Sequence, residues 1–123
     1  MSEDALKELM DFLEEANARV KQLEAEGDAA MAEGGQTAFQ AKLEKKAELL
    51  ASLGTRAAPL TKAIGGDLGR NIDDRLERFA SSAATALRIG SVFFMTALLY
   101  PEDHQPGEPN DLETFIAELR KGI

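Results

Sequence analysis

Apolar side chains recur at alternating intervals of three and four residues along the first segment of the chain. The positions that follow this spacing are Leu6, Leu9, Leu13, Ala16, Val20 and Leu23. Such spacing places one apolar seam along an α-helix and is typical of coiled-coil and bundle helices. Polar residues such as Glu8 and Lys21 fall on the opposite face. We therefore predict a long helix over residues 3–33.

A second seam with the same spacing follows. Its positions are Phe39, Leu43, Lys46, Leu50, Leu53, Ala57, Leu60 and Ile64, and only Lys46 interrupts its apolar character. The register continues across Gly54 and Pro59, which favours one helix over residues 36–64 with a kink near Pro59. A break anywhere between Gly54 and Pro59 is the alternative.

The third seam is accompanied by a second apolar stripe. The seam holds Ile72, Leu76, Phe79, Ala83, Ala86, Gly90, Phe93, Ala97 and Tyr100, and the stripe holds Ala80, Leu87, Phe94 and Leu98. We predict one helix over residues 67–100. Because its later part is apolar around most of its circumference, it is expected to be central in a bundle, to pack on another chain or to meet lipid.

Glycine pairs and prolines mark the ends of these segments. Gly34-Gly35 and Gly65-Gly66 separate the helices, and residues 101–110 form an acidic, proline-rich loop. Asn110 and Glu113 have capping-box spacing and predict a short helix over residues 111–121. Its apolar face consists of Leu112, Phe115, Ile116 and Leu119. A helix this short must dock, either on its own bundle or on a partner.

These elements predict an all-α fold. It is an antiparallel bundle of three long helices plus a short C-terminal helix, in one domain over residues 1–123. Residues 1–33 carry ten acids and three bases, whereas residues 34–66 carry two acids and five bases. The opposite charges favour pairing of the first two helices as a hairpin.

Composition narrows the function classes. The net charge of −8 argues against nucleic-acid binding, since an acidic protein repels the phosphate backbone. The absence of cysteine excludes thiolate catalysis, disulfides and cysteine-based zinc sites, and no secretory signal is visible. The sole histidine, His104, lies between prolines in the loop. We predict no catalytic or metal-binding residue, no cofactor, and a cytoplasmic location.

The candidate interface or ligand residues all lie in the third predicted helix. Ser82, Ala86 and Gly90 have the four-residue spacing of small residues that lets helices approach closely. Arg88 is the only charge between Ser81 and Tyr100, and a buried arginine needs a partner. The apolar candidates are Phe93, Phe94 and Leu98.

We predict a non-enzymatic protein–protein interaction module that self-associates, with a dimer favoured, through the third helix or the seam of the first helix. A separate protein partner would use the same apolar surface. The first alternative is a bundle that holds a small amphipathic or anionic ligand in an internal cavity near Arg88, Phe93 and Phe94. The second is reversible membrane attachment through the third helix or the helix over residues 111–121. A membrane-spanning helix is disfavoured because Arg88 interrupts the apolar segment. The residues match no motif specific enough to name a family.

Overall fold

The computed structural model describes residues 2–122, apart from the side chain of Ser2, and over this range the chain is all-α without a β-strand. The five helices are α1 (Ser2–Ala51), α2 (Leu53–Ile64), α3 (Gly66–Ile89), α4 (Val92–Ala97) and α5 (Asp111–Arg120). The predicted fold class, a helical bundle with a short C-terminal helix, is confirmed.

Helix α1 is a hairpin of two arms. Gly35 has φ 76° and ψ −163°, a conformation outside the helical region that glycine adopts without strain. Arm 1 is residues 2–34 and arm 2 is residues 36–51. Two lysines of arm 2 pair with acids of arm 1, at 3.0 Å for Lys42–Glu26 and 2.8 Å for Lys46–Glu24. The predicted charge-matched hairpin is therefore confirmed.

The second predicted helix, which comprises arm 2 and α2, bends at Ser52 and not at the predicted Pro59. The Ser52 hydroxyl donates to the carbonyl of Leu49 at 2.9 Å. Such local side-chain bonds compete with the regular helical pattern. Helix α2 runs through Pro59 to Ile64 without interruption, so the predicted continuity to residue 64 is confirmed and the position of the bend is wrong.

Helix α3 ends earlier than predicted. It packs antiparallel to α2 and terminates at Ile89, since Gly90 adopts a left-handed conformation and its N–H bonds back to Ala86 and Leu87. This is a glycine C-cap, and it turns the chain into the separate helix α4. The prediction of one helix over residues 67–100 is therefore wrong after residue 89.

Helix α5 lies lengthwise beside arm 1 and α3 and runs antiparallel to both. Arg75 of α3 pairs with Glu118 at 3.1 Å, and Lys21 of arm 1 pairs with Glu113 at 3.2 Å. Near the end of α5, Arg120 pairs with Glu14. The predicted helix over residues 111–121 is confirmed to within one residue, and it supplies a short fourth member of the bundle.

The core runs along the first two predicted seams and along the third seam as far as Ala86, whereas Gly90, Phe93 and Ala97 of the third seam are exposed. Its fully buried apolar side chains include Leu9, Leu13 and Val20 of arm 1, Leu50 of arm 2, Leu53 of α2, and Ile72 and Leu76 of α3. These side chains form one continuous cluster with residues from α4 and α5. Because the seam of arm 1 is used inside the molecule, it does not offer a free surface for self-association.

Candidate functional site

Helix α4 forms because two local signals directly precede a short apolar run. Gly90 ends α3, and the Ser91 hydroxyl accepts a hydrogen bond from the Phe94 N–H at 3.1 Å as an N-cap. After Ala97 the chain turns through Leu98 and Leu99, both buried. Leu99 has φ 75°, a strained conformation for a leucine, and Asp111 donates its N–H to the Leu99 carbonyl at 2.8 Å. This turn fixes the position of the following residue, Tyr100.

Three exposed apolar side chains lie on α4 and just before it in the chain. Phe93 is 74% exposed, Ile89 is 58% exposed and Phe94 is 48% exposed, and the two phenylalanine rings lie 5.7 Å apart. We call these three residues the α4 patch. The remaining four phenylalanines of the chain are buried or half-buried. Large apolar side chains that project together into solvent are typical of binding surfaces.

A groove of about 700 Å³ lies between the α1 hairpin and α4. We call it the aromatic groove, because four of the seven aromatic residues of the chain line it. These are Phe39, Phe93, Phe94 and Tyr100. Three carboxylates, those of Glu24, Asp28 and Glu102, and the ammonium of Lys46 provide its charges.

A buried polar cluster lies at the base of the aromatic groove. Lys46 is fully buried, and its Nζ lies 2.8 Å from Glu24 Oε2 and donates to the Thr96 carbonyl at 3.2 Å. The Tyr100 hydroxyl donates to Glu24 Oε1 at 2.7 Å, and the Lys46 ammonium lies 5.1 Å from the Tyr100 ring centroid. The cluster therefore joins arm 1, arm 2 and the segment after α4.

Burial shifts the titration of both Lys46 and Tyr100. It lowers the pKa of Lys46 below the ordinary value of lysine, although the hydrogen bond and charge of Glu24 oppose this. It also raises the pKa of Tyr100 above that of a free phenol, and the bonded Glu24 carboxylate adds to the rise. The cluster holds one ammonium, one carboxylate and one neutral phenol, so its groups satisfy each other.

A second groove, of about 500 Å³, lies on the other side of α4. We call it the hydroxyl groove, because the hydroxyl-bearing residues Ser81, Ser82 and Thr85 of α3 line it. Asp111 also lines it. Burial raises the pKa of Asp111. Phe94, Ala97 and Tyr100 line both grooves. Helix α4 is therefore a ridge with a groove on each flank.

The structure brings most of the predicted interface residues together around this ridge. Ser82, Ala86, Phe94 and Leu98 line the hydroxyl groove, and Phe93 lines the aromatic groove. Gly90 is the exposed C-cap of α3. The small-residue spacing of Ser82, Ala86 and Gly90 thus does not mark a continuous helix face, because the helix ends before Gly90.

Arg88 lies apart from both grooves. Its side chain is exposed near the end of α3, and it is not among the residues that line either groove. The space beside Phe93 and Phe94 is therefore not lined by Arg88, which the sequence analysis had placed with them. The space beside the two phenylalanines is an open groove, and Lys46 is the basic residue that lies in it.

The predicted docking face of the C-terminal helix lies in the protein's own core. Leu112, Phe115, Ile116 and Leu119 are all at most 4% exposed. The Phe115 ring contacts the Phe79 ring of α3 at 6.3 Å, and the Arg75 guanidinium lies 4.6 Å from its centroid. Within this structure, these residues are occupied by intramolecular packing.

The loop between α4 and α5 is held by local contacts. The His104 ring contacts the Tyr100 ring edge-on at 4.9 Å, and its Nε2 lies 2.9 Å from the Glu108 carbonyl.

Among residues 2–122, no group of three or more histidine, aspartate or glutamate side chains is arranged to hold a metal ion. Over the same range, no helix is long and apolar enough to span a bilayer.

Sequence reasoning missed the Lys46–Glu24–Tyr100 cluster. The usable signal was the position of Lys46 in an otherwise apolar seam, since a seam position predicts burial and a buried ammonium requires a carboxylate nearby. Tyr100 also occupies a seam position. What the spacing did not provide was the turn at Leu98–Leu99 that brings Tyr100 back to arm 1.

Together, the fold and this site define a small helical bundle with an exposed aromatic ridge between two grooves. Comparison of the chain with family models, curated proteins and solved structures gives no significant match. The functional argument below therefore depends on the geometry of the ridge and its grooves.

Proposed function

We propose that this protein is a non-enzymatic helical interaction module that self-associates as a dimer through the α4 patch. The observation that carries the proposal is the exposure of Phe93 and Phe94 side by side, in a chain whose other phenylalanines are buried or half-buried. Full burial of one large apolar side chain contributes about 1.5–3 kcal/mol. Exposed aromatics of this size favour burial against a partner.

The shape of the surface supports a second copy of the chain as the partner. Phe93 projects beside a groove that is itself lined by Phe39 and Leu43. In a two-fold dimer each protomer presents the same patch, so a projecting side chain of each copy enters the groove of the other. A surface that contains both a projection and a neighbouring groove satisfies this requirement.

The charges around the patch support the same partner. Arg88 is exposed one residue before Ile89, and it forms no ion pair within residues 2–122. Asp28 and Glu102 line the groove and are likewise exposed without an ion-pair partner in that part of the chain. Charges of both signs near the patch and the groove are therefore available to pair across a two-fold interface.

The proposed role is binding and not catalysis, because the buried polar groups at the ridge are paired with each other. Lys46 and Tyr100 both bond to Glu24, which leaves neither as an isolated reactive group.

We place the module in the cytoplasm, since a chain without cysteine needs no oxidising compartment to fold.

Sedimentation velocity over a range of protein concentrations tests the proposal. We expect wild-type protein to be dimeric, and Phe93→Ser to raise the dimer Kd by about 30-fold or more, as for a central interface residue worth about 2 kcal/mol. Met31→Ser is the matched control, because Met31 is 43% exposed but lies in α1 outside the patch. We expect this control to dimerise like the wild type.

Two results would contradict the proposal. One is a wild-type protein that remains monomeric at the highest concentration measured. The other is a Met31→Ser variant that weakens the dimer as much as Phe93→Ser, because the interface would then not be specific to the α4 patch.

A further inference from the structure

We propose that the aromatic groove binds a small amphipathic organic cation, such as a substituted ammonium that carries an aromatic or apolar group. This ligand class goes beyond self-association, and binding in the groove does not require a dimer. The inference depends on three properties of the groove, which are its size, its aromatic lining and the sign of its charge.

The size of the groove suits a small molecule. Its volume of about 700 Å³ lies within the range of roughly 300–1,000 Å³ that is typical of ligand pockets. One wall comes from the α1 hairpin, through Phe39 and Leu43, and the other comes from α4, through Phe93 and Phe94. A ligand between these walls would contact apolar side chains on both sides.

The aromatic lining favours a cation within this apolar space. Aromatic faces attract cations through the ring quadrupole, and substituted ammonium groups are recognised by several such faces at once. Four aromatic residues line this groove. The Tyr100 ring already lies 5.1 Å from one buried cation, the Lys46 ammonium. Phe39, Phe93 and Phe94 provide further rings for a ligand.

The net charge of the groove also favours a cationic ligand. Three carboxylates against one ammonium leave its lining with a formal charge of −2. The Lys46 ammonium is neutralised by Glu24 and fully buried, which leaves Asp28 and Glu102 as the exposed charges. An anionic ligand would face these two carboxylates without a free cation to bind it. The charge therefore opposes an anionic ligand and is compatible with an amphipathic one, the two kinds that the sequence analysis offered.

Ligand and dimer would compete for one space if the dimer forms as proposed. The groove that receives an aromatic side chain of a second copy is the groove that binds the cation. This coupling alone rests on the proposed function, and it predicts that a saturating cation raises the dimer Kd. Binding of the cation to the monomer is expected whether or not the dimer exists.

Titration with phenyltrimethylammonium, followed by the NMR shifts of the groove residues, tests the inference. We expect saturable shifts with a Kd on the order of 1 mM or tighter, as for a ligand of about ten heavy atoms. Benzenesulfonate is the matched probe, with the same ring and the opposite charge, and we expect it to bind at least about 10-fold more weakly. Affinity for the cation should fall with added salt.

Paired variants locate the charge that matters. Asp28→Asn with Glu102→Gln removes the two exposed carboxylates of the groove, and we expect cation affinity to fall by about threefold or more. Glu8→Gln with Asp11→Asn is the control with the same net charge, because both acids are exposed on arm 1 and line no part of the groove. We expect this control to bind like the wild type.

A further variant separates this inference from the dimer. Ile89 belongs to the α4 patch but does not line the aromatic groove. Ile89→Ser is expected to weaken the dimer and to keep full affinity for the cation. The inference is overturned by the absence of shifts at the groove residues, by equal binding of benzenesulfonate, or by an equal loss of affinity in the control pair.

Discussion

Helices α4 and α5 are both short, yet one is exposed and the other is part of the core. Each begins with a side-chain N-cap, Ser91 for α4 and Asn110 for α5. Helix α5 buries four of its ten residues, whereas α4 buries only Met95 of its six. The difference in burial therefore does not come from how the two helices start.

The order of apolar residues within each helix explains the difference. In α5 the large apolar side chains are at positions 112, 115, 116 and 119, which lie on one face of a helix. In α4 four apolar residues are consecutive, from Val92 to Met95, and successive side chains on a helix point about 100° apart. One small bundle cannot cover all four directions. A helix whose apolar residues are not confined to one face leaves some of them exposed and available to a partner.

The largest expected effect concerns the two helices' phenylalanines. Phe115→Ala should lower the free energy of unfolding by about 3–5 kcal/mol, because it leaves a cavity where a side chain 1% exposed is packed. Phe93→Ala should change it by no more than about 0.5 kcal/mol, because Phe93 is 74% exposed. Chemical denaturation at a low protein concentration measures both changes without a contribution from the proposed dimer. Equal losses in the two variants would remove the distinction between the helices.

The second prediction concerns the buried polar cluster that supports α4. Lys46→Met should lower the free energy of unfolding by about 1–3 kcal/mol, because Glu24 loses its cation while its side chain is only 22% exposed. Adding Glu24→Gln should recover part of this loss, since no unpaired charge then remains. Denaturation of the two single variants and the double variant gives the coupling free energy. A purely additive double variant would show that the ion pair is not coupled.

The third prediction compares the two N-caps. Asn110 is buried, accepts from the Glu113 N–H at 2.8 Å and donates to Asn17 at 2.9 Å. Asn110→Ala should therefore lower the free energy of unfolding by about 1–2 kcal/mol. Ser91→Ala removes a single 3.1 Å bond at an exposed cap, and about 0.5 kcal/mol is expected. Thermal denaturation of both variants checks this order. A larger loss of stability in Ser91→Ala than in Asn110→Ala would contradict it.

The smallest expected effect is a titration shift at Tyr100. The chain has one tyrosine and no tryptophan, so near-ultraviolet phenolate absorbance reports this residue alone. We expect its midpoint to lie above the ordinary value of about 10, and to return toward that value in denaturant or in Glu24→Gln. A midpoint at the ordinary value in the folded protein would contradict the buried hydrogen bond to Glu24.

The same shift sets the sign of a pH dependence. Since the folded state keeps the Tyr100 proton at a pH where the unfolded chain loses it, this group's stabilising contribution is complete below about pH 10 and is lost at higher pH. Lys46 acts in the opposite direction, because its lowered pKa makes stability rise with pH up to its ordinary value. Tyr100→Phe isolates the first contribution, and we expect its stability to fall less steeply above pH 10.

The contrast between α4 and α5 was only partly predictable from the sequence. The face of α5 and its cap were readable, because their spacing is local to ten residues. The end of α3 was not, because the intervals from Ala86 through Gly90 to Phe93 continue the heptad spacing. A glycine that fits the register gives no signal of its left-handed conformation, which tertiary packing selects. The burial of Lys46 was indicated by its seam position, but its partners depended on that turn.

Hydrogen exchange measured across a dilution series tests the central claim, that α4 and not α5 is the surface for a second copy. We predict that the amides of residues 92–97 become less protected as the protein is diluted, while those of residues 111–120 keep the same protection. Protection in α4 that is independent of concentration, or a change that falls in α5 instead, would contradict the account.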